Sequence, residues 1–456
     1  MMQKKKGIHL YINIKNLDEL VIVDYKDEKL NHIIHQMNTL FTSIERYIND
    51  NYKDNVEIEK VTGSRLHLII FNNNQIDIMM IICKFAYLLS KKFKNFPKYS
   101  NLGTLNLQFG ADTGFYYGVE IDINNDVEYT SIGYPANYAA KLQSISDIGY
   151  LYISKKLYDI MDIDDRKNFG LVSNNQSKQI INKYNNGSIY CFKVDKFDDS
   201  NVFTRSQISN IDNYVLKAKE LSNETNYNSM NVIEPKKQFS FENWSIKNIA
   251  EFCGTVVFSD IRGFTKDFDP NGNNLEELTN ITIKILKMMY DRCIENNGVH
   301  IQFQGDREFV LFPHELQEDA CVFAIKLIDE VKNVGKHIGV GISYGNLFGF
   351  KVGIRNYKDN VLLGIPVICV DKLEDLYAEE DSIAISENVY KKLEDNYLKS
   401  LFIQKGIVER IGCKYYTTRF GYKYFVENKQ KKFAKAKPNV SYTKPYKKIK
   451  NGKRIN

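Results

Sequence analysis

The sequence predicts an α+β protein in which one ferredoxin-like domain occurs twice. Two observations carry this prediction: five blocks recur in the same order, and each copy strings strand-period and helix-period segments in one pattern. "FGADTGFYYG" (Phe109–Gly118) and "VGISYGNLFG" (Val340–Gly349) share a G-x-x-x-G core between apolar residues. Gly114 lies nineteen residues before Gly133 of "SIGYPAN", and Gly345 lies nineteen before Gly364 of "LLGIPVI". "YLYISKKLYDIM" (Tyr150–Met161) matches "SIAISENVYKKL" (Ser382–Leu393), and both copies then close on aromatic strands, "SIYCFKV" and "GYKYFV". Toward the N-terminal side, "HLYINIKNL" (His9–Leu17) aligns with "VVFSDIRGF" (Val256–Phe264), and "VTGSRLHLIIF" (Val61–Phe71) with "FQGDREFVLF" (Phe303–Phe312).

Within each copy the expected order is strand, long helix, hairpin, helix, strand, strand, helix, strand. Val256–Ser259 reads as a strand with Asp260 at its mouth. The segment after Asn274 has apolar residues at Leu278, Ile281, Ile285, Leu286 and Met289, a helical spacing. "VHIQFQGDREFVLF" is two alternating strands about a turn at Gly305–Asp306, and "LQEDACVFAIKLIDEVKNV" is an amphipathic helix. This order suits a ferredoxin-like sheet with helices on one face. The domains are placed at residues 5–197 and 248–427. A polar linker, 198–247, with a short helix near Val215–Leu221, joins them, and 428–456 is a basic, disordered tail.

Composition narrows the class. The 456 residues are 43% hydrophobic and 26% charged, as in ordinary globular proteins. Net charge is +6, yet the tail alone holds eleven Lys or Arg and no acid, so the body is mildly acidic and no nucleic-acid partner is expected. Seven scattered cysteines form no C-x-x-C pair, which argues against a disulfide frame or zinc site. The basic start runs straight into an alternating strand, and the best apolar stretch, Ile76–Leu89, is broken by Lys84 and Asp77. A secretory signal and a membrane span are therefore not expected, and the expected location is cytoplasmic.

The copies differ where chemistry would sit. The second has Asp260 at a strand end and Asp306 in a hairpin turn, on neighbouring strands of such a sheet. Convergent carboxylates suit Mg²⁺ or Mn²⁺ held together with substrate phosphates. Each residue alone also reads as an N-cap or an ordinary turn aspartate. The first copy has Asn13 and Ser64 at those two positions. In turn, it carries Asn137 and Lys141 one helical turn apart, where the second has Ile368 and Lys372.

These residues resemble the class III nucleotide cyclase catalytic domains, across most of the chain. The resemblance implies two domains paired within one chain around a single working site, with two Mg²⁺ or Mn²⁺ ions and a nucleoside triphosphate substrate. Asp260, Asp306 and the carbonyl of Ile261 would hold the ions, and Arg262, Gly263, Phe264 and Thr265 would cradle phosphates. Asn137 would orient the ribose. Lys141 stands where the family has arginine and would meet charge on the phosphoryl group without a bidentate fork. Lys183 is a weaker candidate for a triphosphate contact. Lys60 and Thr130 match the family's base-reading positions and resemble an adenylate pocket. The architecture instead resembles the Pycsar antiphage enzymes, which make cyclic CMP or cyclic UMP. The leading expectation is a monomeric pyrimidine cyclase whose product acts on a downstream cyclic-nucleotide effector. The alternatives are an adenylate cyclase and an inactive nucleotide-binding scaffold.

Overall fold

The structure, a computed structural model, describes residues 2–24, 30–72, 74–123, 126–184, 187–199, 205–224, 230–232, 241, 249–269, 271–313, 315–353 and 359–418. The closing segment "GYKYFV" and the basic tail lie outside these residues.

Two mixed sheets are built to one plan. In the first, β1 (Met2–Ile14), β2 (Val56–Thr62), β3 (Arg65–Ile70) and β4 (Leu107–Ile123) stand in the order β2-β3-β1-β4. This is the order of a ferredoxin-like sheet. β5 (Asp126–Ile132) pairs with the far end of β4, and β6 (Tyr150–Ser154), β8 (Ile189–Lys193) and the short β7 (Gly170–Leu171) extend the sheet beyond it. The second sheet repeats this with β10 (Ile249–Ile261), β11 (Val299–Gln304), β12 (Arg307–Pro313) and β13 (Ile338–Val352), in the order β11-β12-β10-β13. β14 (Asp359–Leu363) pairs with β13, and β15 (Ser382–Ser386), β17 (Lys414–Thr418) and β16 (Phe402–Ile407) complete it. One more short strand, β9 (Met230–Val232), comes from the expected linker and pairs in parallel with β10.

Alternation explains the layers. On β1, Ile8, Leu10 and Ile12 face a core shared with the helices Leu30–Asn51 and Gln75–Lys92. On β10, Val257 and Ile261 face the helices Leu275–Glu295 and Gln317–Lys332. On the opposite face of β10, Val256 and Phe258 enter a separate apolar cluster of the second half. The expected short linker helix is twenty residues long, Arg205–Glu224, and it docks Ile211, Tyr214 and Ala218 into the first core. The ring of Tyr214 meets Tyr47 edge-on at 5.0 Å and its hydroxyl donates to Asp50 at 2.6 Å. The polarity of the segment hid this: one apolar stripe on a mostly polar helix suffices for docking.

The halves exchange arms. Tyr117, Val119 and Ile121 of β4 enter one core with Ile285 and Met289 of the second half. Reciprocally, Phe348, Phe350 and Val352 of β13 enter the core of the first half. Two equivalent hydrogen bonds seal the seam. The N–H of Phe303 donates to Glu128 at 2.8 Å, and the N–H of Val61 donates to Asp359 at 2.7 Å. Each donor lies two residues before a hairpin glycine, and each carboxylate five before the glycine that opens a helix.

Candidate active site between the two halves

Asp260 and Asp306 are delivered by adjacent strands. Asp260 is the penultimate residue of β10 and pairs in register with Arg307, the neighbour of Asp306. Gly305 takes φ +73°, the left-handed conformation that lets the β11–β12 hairpin turn tightly and project Asp306. Burial, and then the nearby Asp260 carboxylate, push the Asp306 carboxyl well above its ordinary range, while Lys141 and Arg307 pull it down.

The first half meets this turn. A Cβ on Gly305 would stand 3.5 Å from the Asn137 Oδ1. Asn137 lies on the helix Tyr134–Ile145, and its buried Nδ2 has no hydrogen-bond partner. Lys141, one turn further along the same helix, is near enough for its charge to act on Asp306. Four of the predicted residues, from a strand, a hairpin turn and a helix of two domains, thus converge on one place. Their donor set, two carboxylate side chains with the Ile261 carbonyl beside them, fits a hard divalent cation completed by phosphate oxygens. Among the described residues no group of three or more His, Cys, Asp or Glu can hold a metal without such a ligand.

The turn after Asp260 is different from expectation in one respect. Arg262, expected to help cradle phosphates, is engaged within its own half: its backbone N–H donates to the His337 carbonyl, and its guanidinium binds Glu374 at 2.6 Å and the Ala378 carbonyl at 2.7 Å. Gly263, at φ +76°, precedes a four-residue helix, Phe264–Asp267, that includes Thr265. Phe264 is buried against Phe268. Lys183 ends a separate helix, Asn175–Tyr184, with its ammonium 5.5 Å from the Tyr184 ring centroid.

Lys60 and Thr130 are both buried, in a polar layer that the sequence reading missed. The Lys60 ammonium donates to Glu128 at 2.9 Å and to the Phe303 carbonyl at 2.7 Å. His300 of the second half bridges Glu128 (2.8 Å) and Glu308 (2.9 Å). Burial opposes charge on His300, but its bonds to the two glutamates outweigh it and raise the imidazole to about 9. Burial likewise opposes charge on Glu128, yet Lys60 and His300 hold it down to about 2. Thr130 sits beside Glu59, which accepts from the Ser131 N–H at 2.7 Å and hydroxyl at 2.9 Å and pairs with His67. His67 also contacts His9 at 3.0 Å and stacks on Tyr11 with centroids 4.1 Å apart.

A β-bulge at Glu59 turns both Glu59 and Lys60 toward this layer, and an equivalent bulge falls at Ile301. The repeat alignment pairs His9, Tyr11, Glu59, His67, Tyr116 and Ser131 with Val256, Phe258, Ile301, Phe309, Leu347 and Leu362. All six of the latter belong to one apolar cluster. The same six sites are thus filled by polar groups in one half and by hydrocarbon in the other.

No family model matches the chain, and no curated protein matches it. Solved structures do. A class III adenylyl cyclase-like ATP-binding protein from Pseudomonas aeruginosa aligns over 86% of this chain and 85% of its own, with TM-score 0.66 and 15% identity. The adenylyl cyclase CyaB from P. aeruginosa is 22% identical over 38% of this chain and 96% of its own, at TM-score 0.33. The GTP-bound guanylate cyclase domain of RhGC from Catenaria anguillulae is 19% identical over 37% of this chain and 97% of its own, at TM-score 0.32. The fold is that of class III nucleotide cyclases. Here two such α+β domains pair within one chain as a pseudo-heterodimer. No helix among the described residues is long and apolar enough to cross a membrane.

Proposed function

We propose that the protein is a nucleotide cyclase that converts a nucleoside triphosphate to a 3′,5′-cyclic nucleotide and pyrophosphate, with a pyrimidine base as the leading substrate. One observation carries the proposal: the Asp306 turn of one half meets Asn137 of the other, whose buried Nδ2 is without a partner. A buried amide donor left unbonded costs about 1–3 kcal/mol, so it is best explained by a ligand that accepts from it. Asp260, Asp306 and the Ile261 carbonyl would hold one or two Mg²⁺ or Mn²⁺ ions. Bound there, the ions supply Lewis-acid activation of the ribose 3′-hydroxyl and neutralise the triphosphate.

The chain's own groups then account for geometry and charge. Asn137 orients the ribose so that its 3′-oxygen lies in line with the α-phosphorus. The bond from O3′ to phosphorus forms as the bond to the pyrophosphate oxygen breaks, and the hydroxyl proton leaves with pyrophosphate or water. Lys141 meets the charge growing on the phosphoryl oxygens. The pyrimidine base rests on the likeness of the two-domain architecture to the Pycsar enzymes; Lys60 and Thr130 are themselves engaged in buried hydrogen bonds. Release of the product to a cyclic-nucleotide effector in antiphage defence completes the proposal.

A second reading, nucleotide binding without turnover, is favoured by Lys141 in place of arginine. Incubation of the full chain with each of the four NTPs and Mn²⁺, with products resolved by mass spectrometry, tests both. Cyclic UMP or cyclic CMP, lost in Asp306→Ala, is the expected result. Cyclic AMP alone would replace the base assignment, and bound but unconverted nucleotide would favour the second reading.

A further inference from the structure

Asp260 is flanked by two cations that the metal reading does not use. Arg262 Nη1 stands 3.7 Å from Asp260 Oδ2, and Arg307 Nε stands 4.0 Å from Oδ1. Guanidiniums at these distances compete with a metal for the same oxygens. Neither takes them. Both are drawn instead to Glu374, Arg262 at 2.6 Å to one carboxylate oxygen and Arg307 at 2.5 Å to the other. Glu374 is fully buried, on a π-helical turn, Leu373–Tyr377, that follows the helix Ile365–Lys372. Such turns recur at functional sites because they re-aim one side chain.

The sheet is cut away to admit this arrangement. Gly339 is the register partner of Asp260, and a Cβ there would fall 1.8 Å from Arg262 Nη2. At Gly341 a Cβ would fall 2.8 Å from the Glu374 nitrogen. The guanidinium of Arg262 thus occupies the slot over one glycine, and the π-helical turn descends onto the other. In the half without metal acids the residue equivalent to Glu374 is neutral Gln143, bonded to Gln108. The carboxylate occurs only in the half that carries Asp260.

We propose that Glu374 is a positioning residue that holds Arg262 and Arg307 off Asp260, so that the Asp260 carboxylate stays available to a divalent cation. This rests on the reading of Asp260 and Asp306 as metal ligands. In Glu374→Gln each guanidinium loses its carboxylate bond at that residue: Arg307 keeps Asp371 at 2.8 Å, whereas the nearest anion left to Arg262 is Asp260.

Mn²⁺ binding to the full chain without nucleotide, followed by the free-ion electron paramagnetic resonance signal, tests the inference apart from turnover. Glu374→Gln is expected to weaken Mn²⁺ binding about tenfold or more, as the site gains a competing charge. Arg307→Met should tighten it several-fold, a direction that misfolding does not produce, and should restore affinity when combined with Glu374→Gln. Asp306→Asn should remove binding. Unchanged affinity in Glu374→Gln, or weaker binding in Arg307→Met, overturns the role of Glu374 while leaving the metal site in place. A wild-type chain that binds no Mn²⁺ overturns the metal reading and this inference with it.

Discussion

Ser64 donates its hydroxyl to the amide oxygen of Asn13 at 2.7 Å, at the two positions where the second half carries Asp306 and Asp260. In the first half the pair is neutral and satisfied by its own hydrogen bond. In the second it is two carboxylates that cannot satisfy each other. The contact gives the spacing of the site from its inactive copy: side chains at these positions reach one another.

Restoring acids to the first half is therefore informative. Asn13→Asp with Ser64→Asp should add one Mn²⁺-binding event per chain. It should not add turnover, because the opposing helix offers Ile368 where the working site has Asn137. Metal stoichiometry and product formation, both measured in an Asp306→Ala background, check this. Product in that background would show that the amide is dispensable.

Lys141 and Asn137 separate binding from chemistry. Lys141→Arg gains a planar fork and should raise kcat, whereas Asn137→Ala should lower kcat by roughly 10²-fold, the scale of a lost transition-state donor. Initial rates at saturating nucleotide report both. A change confined to KM would place these residues in ground-state binding only.

The seam between the halves should weaken in alkali. His300 is raised to about 9, so its contribution is complete below pH 6.5, where the imidazole is charged in both folded and unfolded chains. That contribution declines as pH climbs from there through about 9. Glu128, held at about 2, acts in the opposite sense: its contribution is complete above about 4.5 and is lost as pH falls toward 2. Melting temperature should accordingly peak between these limits, and His300→Gln should flatten the alkaline limb. A limb identical to wild type would sink the assignment.

The polar layer predicts strong coupling. Glu59→Ile alone leaves His67 and the Ser131 donors buried without their acceptor, a loss of about 3–5 kcal/mol. Joined to His9→Val and His67→Phe it reproduces the hydrocarbon of the second half at three of the six sites, and the part of that loss borne by the histidines should be recovered. Urea unfolding of the single and triple variants measures the difference. Additive losses would mean that the two halves are not interchangeable at these sites.

The sequence made the duplicated sheet legible because spacing survives where identity does not: the nineteen-residue intervals and the hairpin glycines mark fixed turns. Asp260, Asp306 and Asn137 were legible as a set because each is a difference between copies at an aligned position, whereas Lys141, aligned with Lys372, stood out only through the family resemblance. The same comparison overlooked Glu374 against Gln143, since nothing local announces that an acid on a helix end will bind two arginines from distant strands. Lys60 pointed to a base because it stands three residues before the hairpin glycine, at the family's base-reading position. Its capture by Glu128 and the Phe303 carbonyl depends on a bulge and on the partner half, and neither is written beside it in the chain. The length and docking of the Arg205–Glu224 helix, expected only as a short helix near Val215–Leu221, were missed for a similar reason, as its few apolar residues matter only once a groove exists.

The twin clasps, Phe303 to Glu128 and Val61 to Asp359, bear on how the site responds to dilution. A site split between two separate subunits falls apart as their concentration drops below the dissociation constant. Here each half meets the other at an effective concentration on the order of millimolar, set by the connecting segment, however scarce the chain. Specific activity should therefore hold constant down to the lowest amount a cell produces. On the proposed reading, product formed this way should scale with copy number to the first power, with no threshold of assembly.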